Sequence, residues 1–559
     1  MKRLASSRWA AAGLWLAALG LVLLAFAALW WFENERYRGV AWGPPAEPIP
    51  WADVPQGGAN LPGIHLEPDP AVVSRTLDLA RDAGIHWLRV QFPWEDLEIH
   101  AKGDFRDARH DRNGDGRIDE ADTISAWAKY DSLVAAAEAR GLELIVRLDR
   151  PPAWARQNLP SEQGVDLAAE RRADPGETGP PDRFEDYGDY VAAVVGRYRG
   201  RVRFFQIWNE PNLRHEWSWG RPDPAAFVEL LKLGYERAKA ANPEAVILFP
   251  SLSPADGLDW KAMSDLEYLA AIYELGGAAY FDIFSAQGYG LGQPPEEHRY
   301  VRLVYNAEGR LRRDTLLERP LDSRADVGRV VLLREIMERY GDSRKAVWIS
   351  EFGWNSHQEP HSFGAPVSEE QKAAYLAGML RRARREWPWM GAMNVWFLRG
   401  GAGFDPQDPT LDFQLVRGDW SLTPAYGALK DYLTAPPALG PGAYGPDHPA
   451  WRDEPAGRAL RVWGSGARVT AAPGQRLVLA LDGAAPQTIE GGAVELGWEP
   501  EGERVITVAE GRPALVEVRR ADPWWLRGLF LAAPFALLAA LWLVSYRLAL
   551  ALARRPGAR

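Results

Sequence analysis

Along the chain, short runs of β-branched and aromatic residues alternate with stretches whose apolar positions recur every three or four residues, the pattern of parallel βα units. Eight runs read as strands: 61–66, 87–92, 142–148, 202–208, 245–249, 281–286, 347–350 and 392–397. Helical stretches fall between them. One spans Pro70 to Ala83 and is stopped by Gly84; another spans Leu266 to Leu275 and is stopped by Gly276-Gly277. A third, Ser368 to Arg385, opens on Ser-x-x-Gln, a capping box that satisfies two orphan backbone donors. Eight strands with intervening helices over residues 57–434 are what a (β/α)8 TIM barrel requires, so the expected fold class is α/β.

Beyond residue 434 the period changes. Residues 435–453 are rich in Pro and Gly, and short runs such as Leu460–Trp463, Leu477–Ala480 and Val505–Val508 follow, separated by turn signals. A small β-sandwich over 435–520 is the expectation.

The two ends are apolar instead. Trp9 to Phe32 is uncharged, long enough to cross a bilayer, and follows Lys2, Arg3 and Arg8. Residues 1–34 therefore read as a cytoplasmic N-terminus and retained transmembrane anchor; the alternative is a signal peptide cleaved at Ala25-Phe26-Ala27. Gly528 to Tyr546 is introduced by Trp524 and Trp525 and followed by Arg547, Arg554, Arg555 and Arg559. Residues 521–559 thus read as a second transmembrane helix with a basic cytoplasmic tail, which puts everything between the spans outside the cell membrane. Residues 35–56, rich in Pro and charge, read as a linker.

Composition narrows the function. A 47% hydrophobic and 25% charged chain of 559 residues is globular, not disordered. Its net charge of −10 offers no basic footprint, so nucleic acid is not an expected partner. The absence of cysteine excludes disulfides, thiolate metal sites and cysteine nucleophiles. Tryptophan, at 26 residues, suits core packing, membrane interfaces and platforms for sugar rings.

Two apolar runs end abruptly in a carboxylate. Phe204-Phe205-Gln206-Ile207-Trp208-Asn209 leads into Glu210, and Pro211 stops the strand. Val347-Trp348-Ile349-Ser350 leads into Glu351. In a barrel, the C-terminal ends of the fourth and seventh strands can face each other across the mouth. Two carboxyl groups so placed can cleave a glycosidic bond, one as acid and one as nucleophile, with their separation deciding the stereochemistry.

Trp208-Asn209-Glu210-Pro211 together with Glu351-Phe352-Gly353-Trp354 resembles the clan A retaining glycoside hydrolases, most closely the family 39 and family 5 relatives. The resemblance spans roughly residues 61–433. It implies Glu210 as acid/base, Glu351 as nucleophile and Asn209 as a ligand of the sugar 2-hydroxyl. It further implies that Arg89 and Tyr289 hydrogen-bond the nucleophile and that Trp396 is a sugar platform, with Gln287 standing where many relatives have histidine. Trp354, with the loop tryptophans Trp94, Trp154, Trp217 and Trp219, is a candidate wall of an extended saccharide cleft.

A separate signal lies at 111–122. Asp111, Asn113, Asp115, Arg117 through its carbonyl, Asp119 and Asp122 fall at the spacing of a calcium loop, with Gly116 at its sharp turn. Asp122 replaces the usual Glu, as in the dockerin-type loops this segment resembles. A structural Ca2+ is expected there, and no cofactor for catalysis. The expected function is a membrane-anchored glycosidase acting on an oligo- or polysaccharide. A transglycosidase serving an export system and a non-catalytic carbohydrate-binding scaffold are the alternatives, and the loop 289–326 is the expected seat of specificity.

Overall fold

A computed structural model describes residues 2–156, 179–217, 222–255, 257, 262–296, 326–358 and 364–553. Trp219, most of the 289–326 loop and the last three arginines of the basic tail lie outside these.

The central element is a parallel sheet of eight strands: β1 Gly57–Asn60, β2 Trp87–Gln91, β3 Glu143–Leu148, β4 Phe204–Ile207, β5 Val246–Leu248, β6 Phe284–Gln287, β7 Val347–Phe352 and β8 Met390–Val395. Hydrogen bonds order it β5-β4-β3-β2-β1-β8-β7-β6, and a parallel bridge between Leu248 and Ile283 closes it into a barrel. Helices α2 Pro70–Asp82, α3 Ala128–Glu138, α4 Phe184–Arg197, α5 Pro224–Ala241, α6 Asp265–Glu274, α7 Arg329–Arg339, α8 Glu369–Glu386 and α9 Pro424–Thr434 flank the strands, while α1 Lys2–Tyr37 precedes them. The capping box of α8 forms between Ser368 and Gln371 as its residues require.

The first strand differs from expectation. It is Gly57–Asn60, and 64–66 is instead a turn of 3-10 helix. Pro62 and Gly63, the latter at φ 71°, turn the chain out of the sheet. Glycine hides the true strand from a propensity argument, yet packing demands it: a Cβ on Gly58 would lie 2.2 Å from Asn394 Oδ1.

Residues 35–56 are not a free linker. The indole of Trp387 donates to Arg38 O at 2.6 Å, Ala41 N donates to Glu386 O, and Arg38 pairs with Glu386. Trp51 then crosses the N-terminal end of the barrel, its carbonyl accepting from Trp348 Nε1 at 2.8 Å. With Trp87, Phe204 and Trp348 it closes that end in an aromatic plug.

The strands after the barrel form one seven-stranded antiparallel sheet around its own apolar core. They are β9 Gly442–Tyr444, β10 Arg452–Glu454, β11 Gly457–Ala471, β12 Arg476–Leu481, β13 Gln487–Glu490, β14 Ala493–Glu510 and β15 Pro513–Arg519. The sheet docks at the closed end of the barrel, where Arg385 lies over the Trp463 ring and His448 bonds Asp53. Helix α10, Trp524–Ala553, runs beside α1, and both are long and apolar enough to cross a membrane.

Candidate active site

The C-terminal end of the barrel gathers the polar residues. Strand β4 stops at Trp208, whose φ of 62° is left-handed and turns Asn209 and Glu210 over the mouth. Glu351 lies within β7 and reaches the interior through a bulge. Ala286 pairs with Ile349 but Gln287 pairs with Glu351, so Ser350 is an extra residue. Trp348 and Glu351, three apart, therefore both meet interior partners, which strict strand alternation forbids.

Arg89 on β2 is the hub. Its Nη1 donates to Glu351 Oε1 at 2.7 Å and to Asn60 Oδ1 at 2.9 Å; its Nε donates to Gln206 Oε1 at 2.9 Å and its Nη2 to Asn209 Oδ1 at 3.0 Å. The side chains of Arg89 and Glu351 are only 2% and 8% exposed, so the ion pair is buried, and the other Arg89 N–H groups are met by the amide oxygens of Asn60, Gln206 and Asn209. Tyr289 donates to the other oxygen, Glu351 Oε2, at 2.8 Å. Burial, and then the charge of Glu351, hold the Tyr289 hydroxyl well above the usual phenol range, so it remains a donor.

Glu210 has a different setting. Gln287 Nε2 donates to its Oε1 at 2.5 Å and lies 3.5 Å from Glu351 Oε2. Burial pushes the Glu210 carboxyl up to about 8, helped by the charges of Glu351 and Glu216. The Gln287 hydrogen bond and Arg147 oppose this without cancelling it. The result is one carboxyl that keeps its proton near neutrality beside another that is ion-paired, an arrangement suited to acid and nucleophile roles.

Arg89, Asn209, Glu210, Tyr289 and Glu351 thus form one network. Trp396, partly exposed, follows β8 at the same end, and its N–H bonds Phe352 O. Trp354 does not line the cleft. It is 1% exposed, and its indole donates to Gln293 O, fixing the loop after β6. Trp94 and Trp217 are likewise buried, Trp94 stacked on Tyr190 with Trp154 edge-on to it. Trp354, Trp94 and Trp217 are packing, because the loops above a barrel need their own core; Trp154 is half-buried, its indole donating to Glu98 O. Gln206, Asn60, Arg147 and Glu216 were not singled out from the sequence. For Gln206 and Arg147 the signal is a polar residue at inward parity in an expected strand; Asn60 lies just outside the stretch whose residues favour a strand.

The 111–122 loop is joined to neither glutamate. Gly114 and Gly116 are left-handed at φ 76° and 83°, as a calcium loop needs. Its oxygens, however, are turned onto main-chain donors. Asp111 accepts from Gly114 N and Gly116 N, and buried Asp122 accepts from the N–H groups of Arg112, Asn113 and Asp119. The ligand types fit the ion; the side chains as placed do not converge on it. Among the described residues, the one group whose acidic and imidazole atoms gather within 4.8 Å is Glu210, His215 and Glu216.

No family model and no curated protein matches the chain. Solved structures do. One is a family 39 glycoside hydrolase from the gut symbiont Bacteroides cellulosilyticus WH2, 19% identical, covering 83% of this chain and 82% of its own, with a TM-score of 0.46. A monomeric beta-xylosidase from Caulobacter crescentus CB15 is 18% identical over 86% of this chain and 98% of its own, also at 0.46. The exo-beta-1,4-mannosidase Op5Man5 from Opitutaceae bacterium strain TAV5 is 17% identical over 68% and 59%, at 0.40.

Proposed function

We propose that this chain is a membrane-anchored retaining glycoside hydrolase that cleaves O-glycosidic bonds of an extracytoplasmic oligo- or polysaccharide by double displacement. The observation that carries the reading is the paired but unequal setting of Glu210 and Glu351. One Gln287 nitrogen lies 2.5 Å from an oxygen of the first and 3.5 Å from an oxygen of the second, which bounds those oxygens to about 6 Å apart. That supports the short separation of retaining enzymes over the wider gap that an inverting water needs.

In this mechanism Glu351 attacks the anomeric carbon as the bond to the leaving oxygen breaks, and Glu210 gives that oxygen its proton. The glycosyl ester on Glu351 is then attacked by water. Glu210, now a carboxylate, takes the water proton, releasing the sugar with its configuration retained and restoring the acid. Arg89 and Tyr289 orient Glu351 throughout. The two apolar helices support a membrane anchor, with the barrel on the extracytoplasmic side.

The test is NMR of the first-formed anomer from an aryl glycoside panel. A retained product supports the mechanism and an inverted one overturns it. Transfer to an added sugar acceptor would make the protein a transglycosidase. Glycan binding without turnover would make it a scaffold.

The 111–122 loop is proposed as a structural Ca2+ site, with Asp111, Asn113, Asp115, Asp119, Asp122 and the Arg117 carbonyl as ligands once Asp122 leaves its main-chain donors. Melting that rises with Ca2+ and reverts in chelator supports this; calcium-independent melting removes it.

A further inference from the structure

A third carboxylate stands beside the acid. The chain leaves Glu210 through a tight turn in which Leu213 N donates to Glu210 O at 2.9 Å and Trp217 N donates to Leu213 O at 3.1 Å. This turn folds Glu216 back onto the strand end it came from. Two contacts hold it there. The Trp208 indole donates to Glu216 O at 2.8 Å, and Asn209 Nδ2 donates to Glu216 Oε1 at 3.0 Å. A carboxylate oxygen of Glu216 and one of Glu210 lie within 4.8 Å, with His215 completing the group.

The Asn209 amide is gripped at both ends as a consequence. Its Oδ1 accepts from Arg89 Nη2 at 3.0 Å and from Arg147 Nη1 at 3.2 Å, while its Nδ2 is held by Glu216. An amide whose oxygen faces two guanidinium groups and whose nitrogen faces a carboxylate has one stable orientation, because flipping it would set donor against donor and acceptor against acceptor.

We infer that Glu216 is a positioning residue for the Asn209–Glu210 pair, fixing the amide by its hydrogen bond and setting a negative charge beside the acid. The inference rests on the glycosidase reading above. It deepens that reading by separating two jobs within one side chain. The hydrogen bond orients Asn209 toward the substrate. The charge favours the protonated form of Glu210, in the same sense as Glu351 and burial. The groups that face Glu210 are Glu351 from β7, Gln287 and Tyr289 from β6 and its following loop, Arg147 from β3, and His215 and Glu216 from the turn. Among the described residues Arg147 is the cation acting on Glu210 against the two glutamates, and Arg150 faces Glu216 itself.

Two variants of the full chain divide the jobs. Glu216→Gln keeps an oxygen to accept from Asn209 but removes the charge, so the alkaline limb of the kcat/KM profile moves about one unit toward acid. Glu216→Ala removes both. It moves the limb likewise and lowers kcat/KM about tenfold on glycosides bearing a 2-hydroxyl, and less on 2-deoxy substrates, as loss of one oriented hydrogen bond implies. An alkaline limb unmoved in both variants overturns the inference, as does an equal loss on normal and 2-deoxy substrates. Wild-type activity that survives Glu210→Gln unchanged would instead overturn the underlying assignment, which keeps the two failures distinct.

Discussion

The two ends of the barrel are built from the same strands and share almost no chemistry. At the closed end β2, β4 and β7 supply Trp87, Phe204 and Trp348, which pack on one another and on Trp51. Two residues further along β2 and β4, the interior becomes Arg89 and Gln206, and at the mouth it becomes Asn209, Glu210 and Glu351. The closed end is held by area removed from water, which is indifferent to detail. The open end is held by a network in which each polar atom needs its partner, so single changes there unbalance several groups at once. Apolar packing and the polar network thereby lie at opposite ends.

Substitutions can break that division or sharpen it. The largest effect is expected from Glu351→Gln, which abolishes turnover and, by leaving Arg89 buried without its counter-charge, also lowers stability in denaturant unfolding. Glu210→Gln should lower kcat by about 10²–10⁴-fold on substrates with poor leaving groups and far less in the first step of an activated aryl glycoside. Arg89→Met removes one partner of a buried pair and should cost about 3–5 kcal/mol as well as activity, seen by denaturant unfolding and kinetics together. Trp348→Ala should cost about 3–5 kcal/mol through the cavity it leaves, with kcat of the folded fraction unchanged. If it changed the pH profile, the two ends would not be independent.

The smallest effect is one of linkage. The Glu210 carboxyl is raised to about 8 in the folded state, so the folded protein holds a proton that the unfolded chain releases at lower pH. Its contribution is complete below the ordinary carboxylate range and is lost as pH rises through about 8. Melting temperature should therefore fall more steeply over that window in the wild type than in Glu210→Gln.

The polar network at the open end was largely legible in the chain. A carboxylate that ends an apolar run is conspicuous, and Arg89 stands alone among apolar neighbours on β2. What escaped has specific causes. The bulge at Ser350 leaves no mark in composition, yet it decides which way Glu351 points. The first strand begins with two glycines, which no propensity scale favours but close packing requires. The loop tryptophans looked like subsite walls because residue type does not report burial; Trp354, Trp94 and Trp217 serve the loops' own core. Glu216 reads as one more helix-turn acid until the turn after Glu210 is seen to reverse.

The contacts of residues 38–51 have a mechanical consequence. Trp387 and Glu386 grip the chain where it leaves α1, while Arg520, just before α10, bonds Trp42 O and pairs with Glu35. A flexible leash would let a catalytic domain sample a volume that grows with its length. Here the two helices are bolted to the floor of the barrel, so the mouth stands opposite the attachment at a height set by the barrel itself. Were α1 and α10 seated in a bilayer, the mouth would neither lie down on the surface nor roam above it, but would stand as a fixed aperture.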